Sequence, residues 1–370
     1  MKAVHGIIFA YSAEPALREL VAERTAASLP FCGRYRLIDL ALSSMTNAGI
    51  RDVGVIMQRD YQSLLDHMGS GKAWDMSRKS GGLRMLPPFG LPAYHRGNYS
   101  GTMEALNAVS SYIKDIKEDY IALMLGNICA NIDLSAAIRQ HIASGRSITA
   151  ICTQQPMEGS HFRYALGENG LVRSIRFDSD SGDEGLDSTE CYVINKKTLV
   201  EMMDRCAKLD LRSFHRDAIS HFLASGGDMG VYVHTGYAMA IHTVDAYYKA
   251  NMDMLKAENR RRIFPADRPV RTRNHEEVST YYGENACSKN SLVADNCIIE
   301  GTVENSIVFS GVHIAKGAVV RNAIVMRGCE IGEWAELNYV IADKACSFAA
   351  GTTLTGSPKL PLVAPKKTKI

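Results

Sequence analysis

The sequence predicts an α/β domain with a mostly parallel sheet, followed by a left-handed parallel β-helix. Strand-like and helix-like segments alternate through the first two-thirds of the 370 residues, which is typical of a parallel sheet covered by helices on both faces. From about residue 286 a 17-residue repeat replaces this alternation. We therefore expect the α/β domain at 1–255, a linker rich in Arg and Pro at 256–285, the β-helix at 286–358 and a tail at 359–370.

In the first domain, short runs of β-branched and aliphatic residues predict buried strands at 4–10, 53–57, 120–125 and 147–152. Apolar residues at helical spacing predict helices at 35–47, 61–67, 103–116 and 134–143. Asp133 is a candidate N-cap for the last of these helices, because its carboxylate can accept a hydrogen bond from a free backbone N–H group. The polar, glycine-containing run at 179–185 predicts a loop or a hairpin tip.

The repeat predicts the β-helix. Four units begin at equivalent positions, Cys297, Ile314, Ile331 and Phe348, and apolar residues recur six positions apart within each unit. Between the units, Asn305, Asn322 and Asn338 begin similar short segments. Six-residue steps, three to a coil, are the pattern of a parallel β-helix in which each short strand forms one wall. Three such steps make 18 residues, so we expect one tight corner in each 17-residue coil.

Composition excludes several classes of function. The chain has 42 Lys and Arg against 40 Asp and Glu, so a net charge of +2 gives no electrostatic case for binding nucleic acid or an anionic membrane. No apolar run approaches the ~18 residues of a membrane-spanning helix, and the N-terminus is a poor signal peptide. The nine cysteines include no C-x-x-C pair, so we expect buried thiols in a reducing cytoplasm.

The linker carries a cluster of arginines that allows two interpretations. It is either a solvated segment lying across the first domain, or an anion site at the domain junction, since Arg guanidinium groups suit phosphate. The arginines that form the candidate anion site are Arg260, Arg261, Arg262 and Arg271.

Three segments resemble one enzyme family. Residues 30–50 resemble the P-F-G-G-x-Y-R-L-I-D-F-x-L-S-N…N-S-G-I segment of glucose-1-phosphate adenylyltransferase, also called ADP-glucose pyrophosphorylase. Residues 99–106 resemble its G-T-A-D-A helix start, and residues 236–253 resemble its G-Y-W-x-D-V-G-T-x-D-x-Y-x-x-A-N-M-D segment. The resemblance covers nearly the whole chain and implies a Rossmann-like nucleotidyltransferase domain followed by the family's β-helix.

The family joins glucose-1-phosphate to the AMP part of ATP and releases pyrophosphate. Such chemistry depends on positioning and on neutralising charge. It needs backbone N–H groups around the triphosphate, a lysine against the developing charge and carboxylates that hold Mg²⁺.

This sequence departs from the family at each of those parts. No glycine lies between Gly6 and Gly33, where the family has its phosphate-binding loop, and Glu14 adds a negative charge there. The family's lysine aligns with Ala26, and its two metal-binding acids align with Asn127 and Ala240. The family's sugar-phosphate-binding lysine motif has no counterpart around residues 177–180.

The resemblance, with these losses, implies a non-catalytic regulatory subunit. We expect a catalytic ADP-glucose pyrophosphorylase subunit as its partner, in a homo- or hetero-oligomer such as a tetramer, and Mg²⁺ only in that partner. A remnant nucleotide-sugar pocket would comprise Gly101, Thr102, Glu104, Gly126 and Asn127. The alternative for the first three of these residues is that they cap a helix packed on the sheet.

Two other functions stay open at this point. One is a weakly active or retargeted sugar-phosphate nucleotidyltransferase. The other is a β-helix acyltransferase or scaffold, for which His313 is the one histidine within the repeats. His242, which replaces a family glycine, either fills the sugar end of the pocket or points to solvent. Arg34 and Arg36 either pair with Asp39 and its neighbours or bind an effector.

Overall fold

The structure is a computed structural model that describes residues 4–11, 14–87, 99, 101–154, 156–157, 162–177, 185–274 and 277–370. Residues 12 and 13 of the segment after the first strand lie outside the described residues. So does the loop predicted at 179–185, except for its last residue.

The strands predicted in the α/β domain are confirmed within one residue at each end. The strands of this domain are β1 (Val4–Phe9), β2 (Pro30–Phe31), β3 (Tyr35–Arg36), β4 (Val53–Ile56), β5 (Leu83–Leu86), β6 (Tyr120–Leu125), β7 (Ile128–Ala130), β8 (Ile148–Thr153), β9 (Phe162–Leu166), β10 (Val172–Phe177), β11 (Leu186–Asn195), β12 (Met229–His234) and β13 (Ala238–Ala240).

The predicted helices are also confirmed, except that the segment 103–116 breaks into two short helices at Val109. The helices are α1 (Leu37–Asn47), α2 (Gln62–Met68), α3 (Thr102–Ala108), α4 (Ser110–Asp115), α5 (Leu134–Ser144), α6 (Lys196–Lys208), α7 (Ser220–Ala224), α8 (Val244–Asp253) and α9 (Ala257–Ile263). The Asp133 carboxylate accepts a hydrogen bond of 2.9 Å from the Ala136 N–H, so the predicted N-cap is confirmed.

The main sheet is parallel in its first half and mixed beyond β6. β1 pairs in parallel with β4 and β6, and β4 pairs in parallel with β5. β11 runs antiparallel to β6, β8 and β9, while β8 and β12 are parallel. The carboxyl ends of β1, β4 and β6 therefore meet at one edge, where doubly wound sheets bind their ligands.

Helices cover both faces of this sheet, as the alternation of elements predicts. Ile8 of β1 belongs to a buried cluster with α1, α2 and α5, and Ile7 belongs to a second cluster with α3, α4 and α6. Successive residues of a strand point to opposite faces, so the nearly unbroken apolar sequence of β1 follows from burial on both sides.

Three five-stranded parallel sheets form the walls of the β-helix, in the orders β14-β17-β20-β23-β26, β15-β18-β21-β24-β27 and β16-β19-β22-β25-β28. The strands are β14 (Tyr281–Tyr282), β15 (Cys287–Lys289), β16 (Leu292–Val293), β17 (Ile298–Ile299), β18 (Thr302–Glu304), β19 (Ile307–Val308), β20 (His313–Ile314), β21 (Val319–Arg321), β22 (Ile324–Val325), β23 (Glu330–Ile331), β24 (Glu336–Asn338), β25 (Val340–Ala342), β26 (Ser347–Phe348), β27 (Thr353–Thr355) and β28 (Leu362–Ala364).

The 17-residue repeat is confirmed in the strand register, where Thr302 aligns with Val319 and Val319 with Glu336. The first coil is shorter, because Thr302 pairs with Cys287 only 15 residues earlier. Left-handed backbone conformations recur at the corners of the coils, and one set of corners consists of Asn305 (φ 46°), Asn322 (φ 47°) and Tyr339 (φ 53°). Asn322 and Tyr339 each lie five residues after the preceding corner, at Gly317 and Trp334, which gives the one tight corner that a 17-residue coil needs. In the third of these coils the corner lies one residue after the predicted Asn338, whose side-chain oxygen accepts a hydrogen bond from Asn322.

The β-helix is longer than the range 286–358. Its strands begin with β14, inside the segment predicted as linker, and β28 pairs with β25 inside the segment predicted as tail. A further bridge joins Ser347 to Lys369, so the last residues complete a coil. The predicted linker also contains the helix α9.

An apolar cluster joins the two domains. It contains Phe31 and Leu40 from the α/β domain and Ile324 and Met326 from the β-helix. The connecting segment is held against α1 and its surroundings. Trp74 Nε1 donates a 3.1 Å hydrogen bond to the Arg271 carbonyl oxygen, and Asn47 and Asn131 donate to the carbonyl oxygens of Pro269 and Arg268.

All nine cysteines are free thiols. Seven are buried, as expected, but Cys32 is half-buried and Cys287 is exposed on the first coil of the β-helix, where no further coil covers it. In the described part of the chain, every helix is too short or too polar to cross a bilayer.

Candidate functional site

The site that the family would use lies at the carboxyl end of β1, where the described part of the following segment is helical. After β1 ends at Phe9, a 3₁₀ helix runs from Pro15 to Val21 and buries Leu17 and Leu20 completely. The Gly126 N–H, which follows β6, donates a 2.8 Å hydrogen bond back to the Phe9 carbonyl oxygen. The Pro15–Val21 helix therefore packs its leucine side chains into the interior of the protein. In the family, the segment at this place presents glycine N–H groups to phosphate.

Asn127 and Ala240, which align with the family's metal-binding acids, lie side by side. β7 and β13 pair antiparallel with Ala240 opposite Ile128, and the Ile241 N–H donates a 3.2 Å hydrogen bond to the Asn127 carbonyl oxygen. The Asn127 side-chain amide donates in return to the Ile241 carbonyl oxygen at 3.1 Å. The backbone therefore brings the two positions together, but neither side chain carries a negative charge.

Glu14 and His242 form an ion pair at this place. The Glu14 Oε1 lies 2.9 Å from the His242 Nδ1 and accepts a 3.4 Å hydrogen bond from the Asn127 side-chain amide. Burial by itself would lower the pKa of His242, but its hydrogen bond to the Glu14 carboxylate and the charges of Glu14 and Glu190 raise it above its ordinary value. His242 therefore fills the pocket and does not point to solvent.

Glu190 is the second carboxylate of this cluster. It lies on β11 with a left-handed backbone conformation (φ 56°), and its Oε2 is 3.8 Å from the His215 Nδ1. Burial raises the pKa of Glu190 to about 7; the His242 charge opposes this shift and the Glu14 charge adds to it. Glu190 therefore adds a second carboxylate, which pairs with His215 and whose charge interacts with both Glu14 and His242.

Ala26, at the position of the family's lysine, has no functional group to offer. It lies in a short 3₁₀ helix, Ala26–Ser28, and its side chain is completely buried in the cluster that joins the two domains. A long cationic side chain at this position would have to displace that packing.

The residues of the predicted remnant pocket have structural surroundings. A Cβ on Gly101 would lie 2.3 Å from the Arg212 carbonyl oxygen, which accepts a 2.9 Å hydrogen bond from the Met103 N–H. Gly101 is the N-cap of α3, and Glu104 lies in its first turn, where a carboxylate favours the helix dipole. A Cβ on Gly126 would lie 2.8 Å from the Ala27 Cβ. These contacts match the helix-capping alternative, although Thr102 also hydrogen-bonds the Tyr11 side chain.

Among the described residues, no three His, Cys, Asp or Glu side chains are arranged to hold a metal ion. His313 lies on the outer surface of the β-helix. It forms a 3.2 Å ion pair with Glu300, and both side chains are nearly half exposed. This is the surface role that a lone histidine of the repeat would have.

A basic cleft lies at the domain junction. It is a cavity of about 380 Å³ between the segment around β2 and β3 and the β-helix. Its lining includes two carboxylates, Glu277 and Asp295, and six basic side chains, Arg34, Arg36, Arg260, Arg273, Arg327 and Lys344. Phosphate-bearing anions match this excess of positive charge.

The predicted anion site falls only in part on this cleft. Arg260 lines it, and Arg271 lines an adjoining groove together with Arg34 and Arg273. Arg262 instead forms an exposed ion pair with Glu258 on α9. Arg261 is exposed on the same helix and lines neither the cleft nor the groove.

Sequence reasoning missed Arg327 and Lys344, which the β-helix contributes to the cleft. Both follow short buried strands, β22 and β25, and so lie at coil corners. A basic residue at a corner was the available signal, but the sequence does not show which corners face the α/β domain.

Arg36 and Arg327 are held in place by neighbouring groups. The Arg36 guanidinium donates to the Ser63 carbonyl and hydroxyl oxygens at 2.6 and 2.8 Å, and its backbone N–H donates to Asp39. Arg327 lies 2.9 Å from the Glu277 carboxylate. The Asp39 side chain pairs with His67 at 2.5 Å, so Arg36 uses its backbone N–H, and not its guanidinium, for Asp39.

Comparison with known proteins covers both domains. Residues 15–257 match the nucleotidyl transferase family model, and residues 276–359 match the model of GlmU-like C-terminal hexapeptide repeats. The chain is 32% identical to the glycogen biosynthesis protein GlgD of Bacillus subtilis, over 97% of this chain and 94% of the relative.

Enzymes are among the relatives as well. The chain is 32% identical to glucose-1-phosphate adenylyltransferase of Geobacillus stearothermophilus, over 82% of this chain and 80% of that protein. It is 30% identical to the enzyme of the same name from Clostridium botulinum, over 80% and 77% of the two chains. The resemblance read from the three sequence segments is thus confirmed: the chain belongs to the glucose-1-phosphate adenylyltransferase family of nucleotidyl transferases.

Proposed function

We propose that this chain is a regulatory, non-catalytic subunit of an ADP-glucose pyrophosphorylase in glycogen synthesis. It associates with a catalytic homologue that makes ADP-glucose and pyrophosphate from ATP and glucose-1-phosphate. The similarity to a glycogen biosynthesis protein over nearly the full length of both chains supports this role.

The observation that carries the proposal is the Glu14–His242 pair. Transfer of a nucleotidyl group needs cations and N–H donors around the phosphates, because negative charge develops there. In this chain a carboxylate lies at that place, 2.9 Å from the histidine and within 3.4 Å of the side chain that replaces a metal-binding acid. A triphosphate would meet Glu14 and the Pro15–Val21 helix instead of a glycine loop.

The basic cleft supplies the regulatory part of the proposal. Its lining comes from both domains, with Arg36 on one side and Arg327 on the other. A phosphate-bearing effector bound between Arg36 and Arg327 would attract both the α/β domain and the β-helix, and so favour one arrangement of the two domains. A ligand that binds one arrangement more tightly than another shifts the equilibrium between them. The homologous partner would sense that arrangement through the shared oligomer, for which we propose a tetramer.

The test is an assay with ATP, Mg²⁺ and glucose-1-phosphate, using the purified chain alone, the catalytic homologue alone and a mixture of the two. We expect no turnover by the chain alone. In the mixture we expect a single complex of defined mass and a changed turnover number or effector response. Robust turnover by the chain alone, or a mixture that behaves as the sum of its parts, contradicts the proposal.

A pair of variants separates the cleft from the rest of the β-helix. Arg327→Gln removes a cleft cation, whereas Arg321→Gln removes an exposed arginine that pairs with Glu304 on the same β-helix. We expect the first variant to weaken the effector response of the complex and the second to leave it unchanged. Calorimetry of the chain alone with ATP and ADP-glucose checks the remnant pocket, for which we expect no binding in the micromolar range.

A further inference from the structure

Lys344 differs from the other basic residues of the cleft because its amine has no hydrogen-bond or ion-pair partner in the part of the chain that the structure describes. Its backbone N–H donates a 2.7 Å hydrogen bond to the Asp343 side chain, which is also the acceptor for Arg24. Among the described residues, the Lys344 side chain takes part in no hydrogen bond or ion pair, whereas Arg36 and Arg327 are both engaged. Lys344, which is half-buried, therefore lines the cleft without an ion-pair partner among the described residues.

The surroundings of this amine disfavour its protonated form. Burial lowers the pKa of Lys344 to about 7, and the positive charges of Arg36, Arg24 and Lys366 contribute to the shift. Asp343 opposes the shift only in part, because Arg24 already pairs with it. A large fraction of this lysine is therefore neutral, and hence nucleophilic, near neutral pH.

The cleft that holds the amine also attracts anions. Its cavity of about 380 Å³ is large enough for a small phosphate-bearing molecule, and Arg36, Arg273 and Arg327 line it together with Lys344. Guanidinium groups bind phosphate oxygens in pairs and would hold such a molecule next to the neutral amine.

We propose that Lys344 is an acylation site that reacts with acyl phosphates bound in the basic cleft. The amine nitrogen attacks the carbonyl carbon, a nitrogen–carbon bond forms, and the bond between that carbon and the phosphate oxygen breaks. Inorganic phosphate leaves with the electron pair, and the proton of the amine passes to solvent. The product is an amide that can no longer be protonated, so the cleft loses the charge that this amine carries in its protonated form and binds anions less strongly.

This reaction uses the cleft of the proposed function but needs no partner subunit, so its test can succeed or fail independently. The full chain is incubated with acetyl phosphate near pH 7.5, and the acetylation of each lysine is followed by peptide mass spectrometry. Lys316, which is exposed at another corner of the β-helix, is the internal control. We expect Lys344 to react at least about tenfold faster, because burial lowers its pKa to about 7 and leaves much of its amine unprotonated at this pH.

Three further measurements decide whether the phosphate group is recruited. Inorganic phosphate should slow acetylation of Lys344 and leave Lys316 unaffected. The rate at Lys344 should level off above about pH 8, where its amine is almost fully deprotonated. Arg327→Gln should slow the reaction of Lys344 with acetyl phosphate, but not with an uncharged acetyl ester, and Arg321→Gln should change neither.

Two outcomes would overturn the proposal. One is acetylation of Lys344 no faster than that of Lys316. The other is fast acetylation by both reagents with no effect of inorganic phosphate or of Arg327→Gln, which would leave a reactive amine without recruitment of an acyl phosphate. Circular dichroism of each variant confirms that the fold is intact, and Lys344→Arg shows that the modified peptide is assigned correctly.

Discussion

Arg24 of the α/β domain donates a hydrogen bond to the Asp343 carboxylate at a corner of the β-helix, and both side chains are at most 4% exposed. The Lys344 N–H satisfies the other oxygen of this carboxylate. A buried ion pair is stable only when each charge has its partner, because neither can be solvated by water. The Arg24–Asp343 pair therefore links the two domains through two buried charges, each of which needs the other as its partner.

Removing Arg24 should be strongly destabilising. Arg24→Met keeps most of the side-chain volume but leaves Asp343 buried without its cation, which costs about 3–5 kcal/mol of unfolding free energy. Urea unfolding followed by the fluorescence of buried Trp74 measures this loss in a Trp334→Phe background, which removes the other of the two tryptophans. The double variant Arg24→Met with Asp343→Leu should recover most of the stability.

The matched control for that prediction is the exposed pair of Glu23 and Lys366, which joins the same two domains at 2.7 Å. Glu23→Gln should leave the unfolding curve unchanged, because water replaces the lost partner. An equal effect of Glu23→Gln and Arg24→Met would show that burial of the ion pair is not the cause.

A family-like acid at position 127 should conflict with Glu14. The Asn127 amide donates to the Glu14 carboxylate at 3.4 Å, and Asn127 is fully buried. Asn127→Asp replaces this donor with a second carboxylate, so we expect a loss of about 2–3 kcal/mol at pH 8. Asn127→Asp combined with Glu14→Gln restores a donor and an acceptor and should unfold close to the unchanged chain. Additive effects of the two substitutions would contradict this coupling.

Stability should fall as the pH rises through the range in which Glu190 loses its proton. Burial raises the pKa of Glu190 from its ordinary value of 4.5 to about 7 in the folded chain. The folded state therefore binds this proton more tightly than the unfolded state, and its contribution is lost between about pH 4.5 and 7. The raised pKa of His242 acts in the same direction, since its contribution is present below about pH 6.5 and lost above.

Glu190→Gln tests this dependence. The amide cannot ionise, so we expect the variant to be more stable than the unchanged chain by about 2 kcal/mol at pH 8 and similar to it near pH 5. Urea unfolding at several pH values between these limits gives the slope. A slope that persists unchanged in Glu190→Gln would assign the pH dependence to other groups.

The sequence was sufficient for features that arise from local patterns. The runs at β1, β4 and β6 and the repeat from Cys297 onward predict their strands because burial on both faces demands apolar residues. The ends of the β-helix were not predictable in the same way. Tyr281 and the segment near Leu362 lack the hexad pattern, and only pairing with β17 and β25 makes them strands.

In the candidate site, too, the sequence predicted the features that local motifs determine and missed the contacts that only the fold creates. Alignment to the family motifs placed Asn127 and Ala240 at one site, and their β7–β13 pairing does bring them together. Alignment could not show that Glu14 reaches His242, because the two residues are distant in sequence and meet only through the fold. The same reason hid Lys344, which enters the cleft from a coil corner.

Gly101 gives the clearest separation between a structural and a ligand-binding role for the motif that begins α3. Its backbone is extended (φ −169°), a conformation that any residue adopts, so among the described residues the obstacle to a side chain is Arg212, whose carbonyl oxygen would lie 2.3 Å from the Cβ. Gly101→Ala should therefore lower the unfolding free energy by about 2–3 kcal/mol, since the backbone segments must move apart.

Gly167→Ala is the matched control, because a Cβ there would meet only the end of the Asn169 side chain at 3.3 Å and the Leu171 carbonyl oxygen at 3.8 Å. We expect its urea midpoint to stay near that of the unchanged chain. If Gly101→Ala instead kept full stability, close packing against Arg212 would not explain the glycine. A retained nucleotide pocket would then explain the resemblance to the family's helix start, and titration of the Gly101→Ala variant with nucleotide would show a loss of binding relative to the unchanged chain.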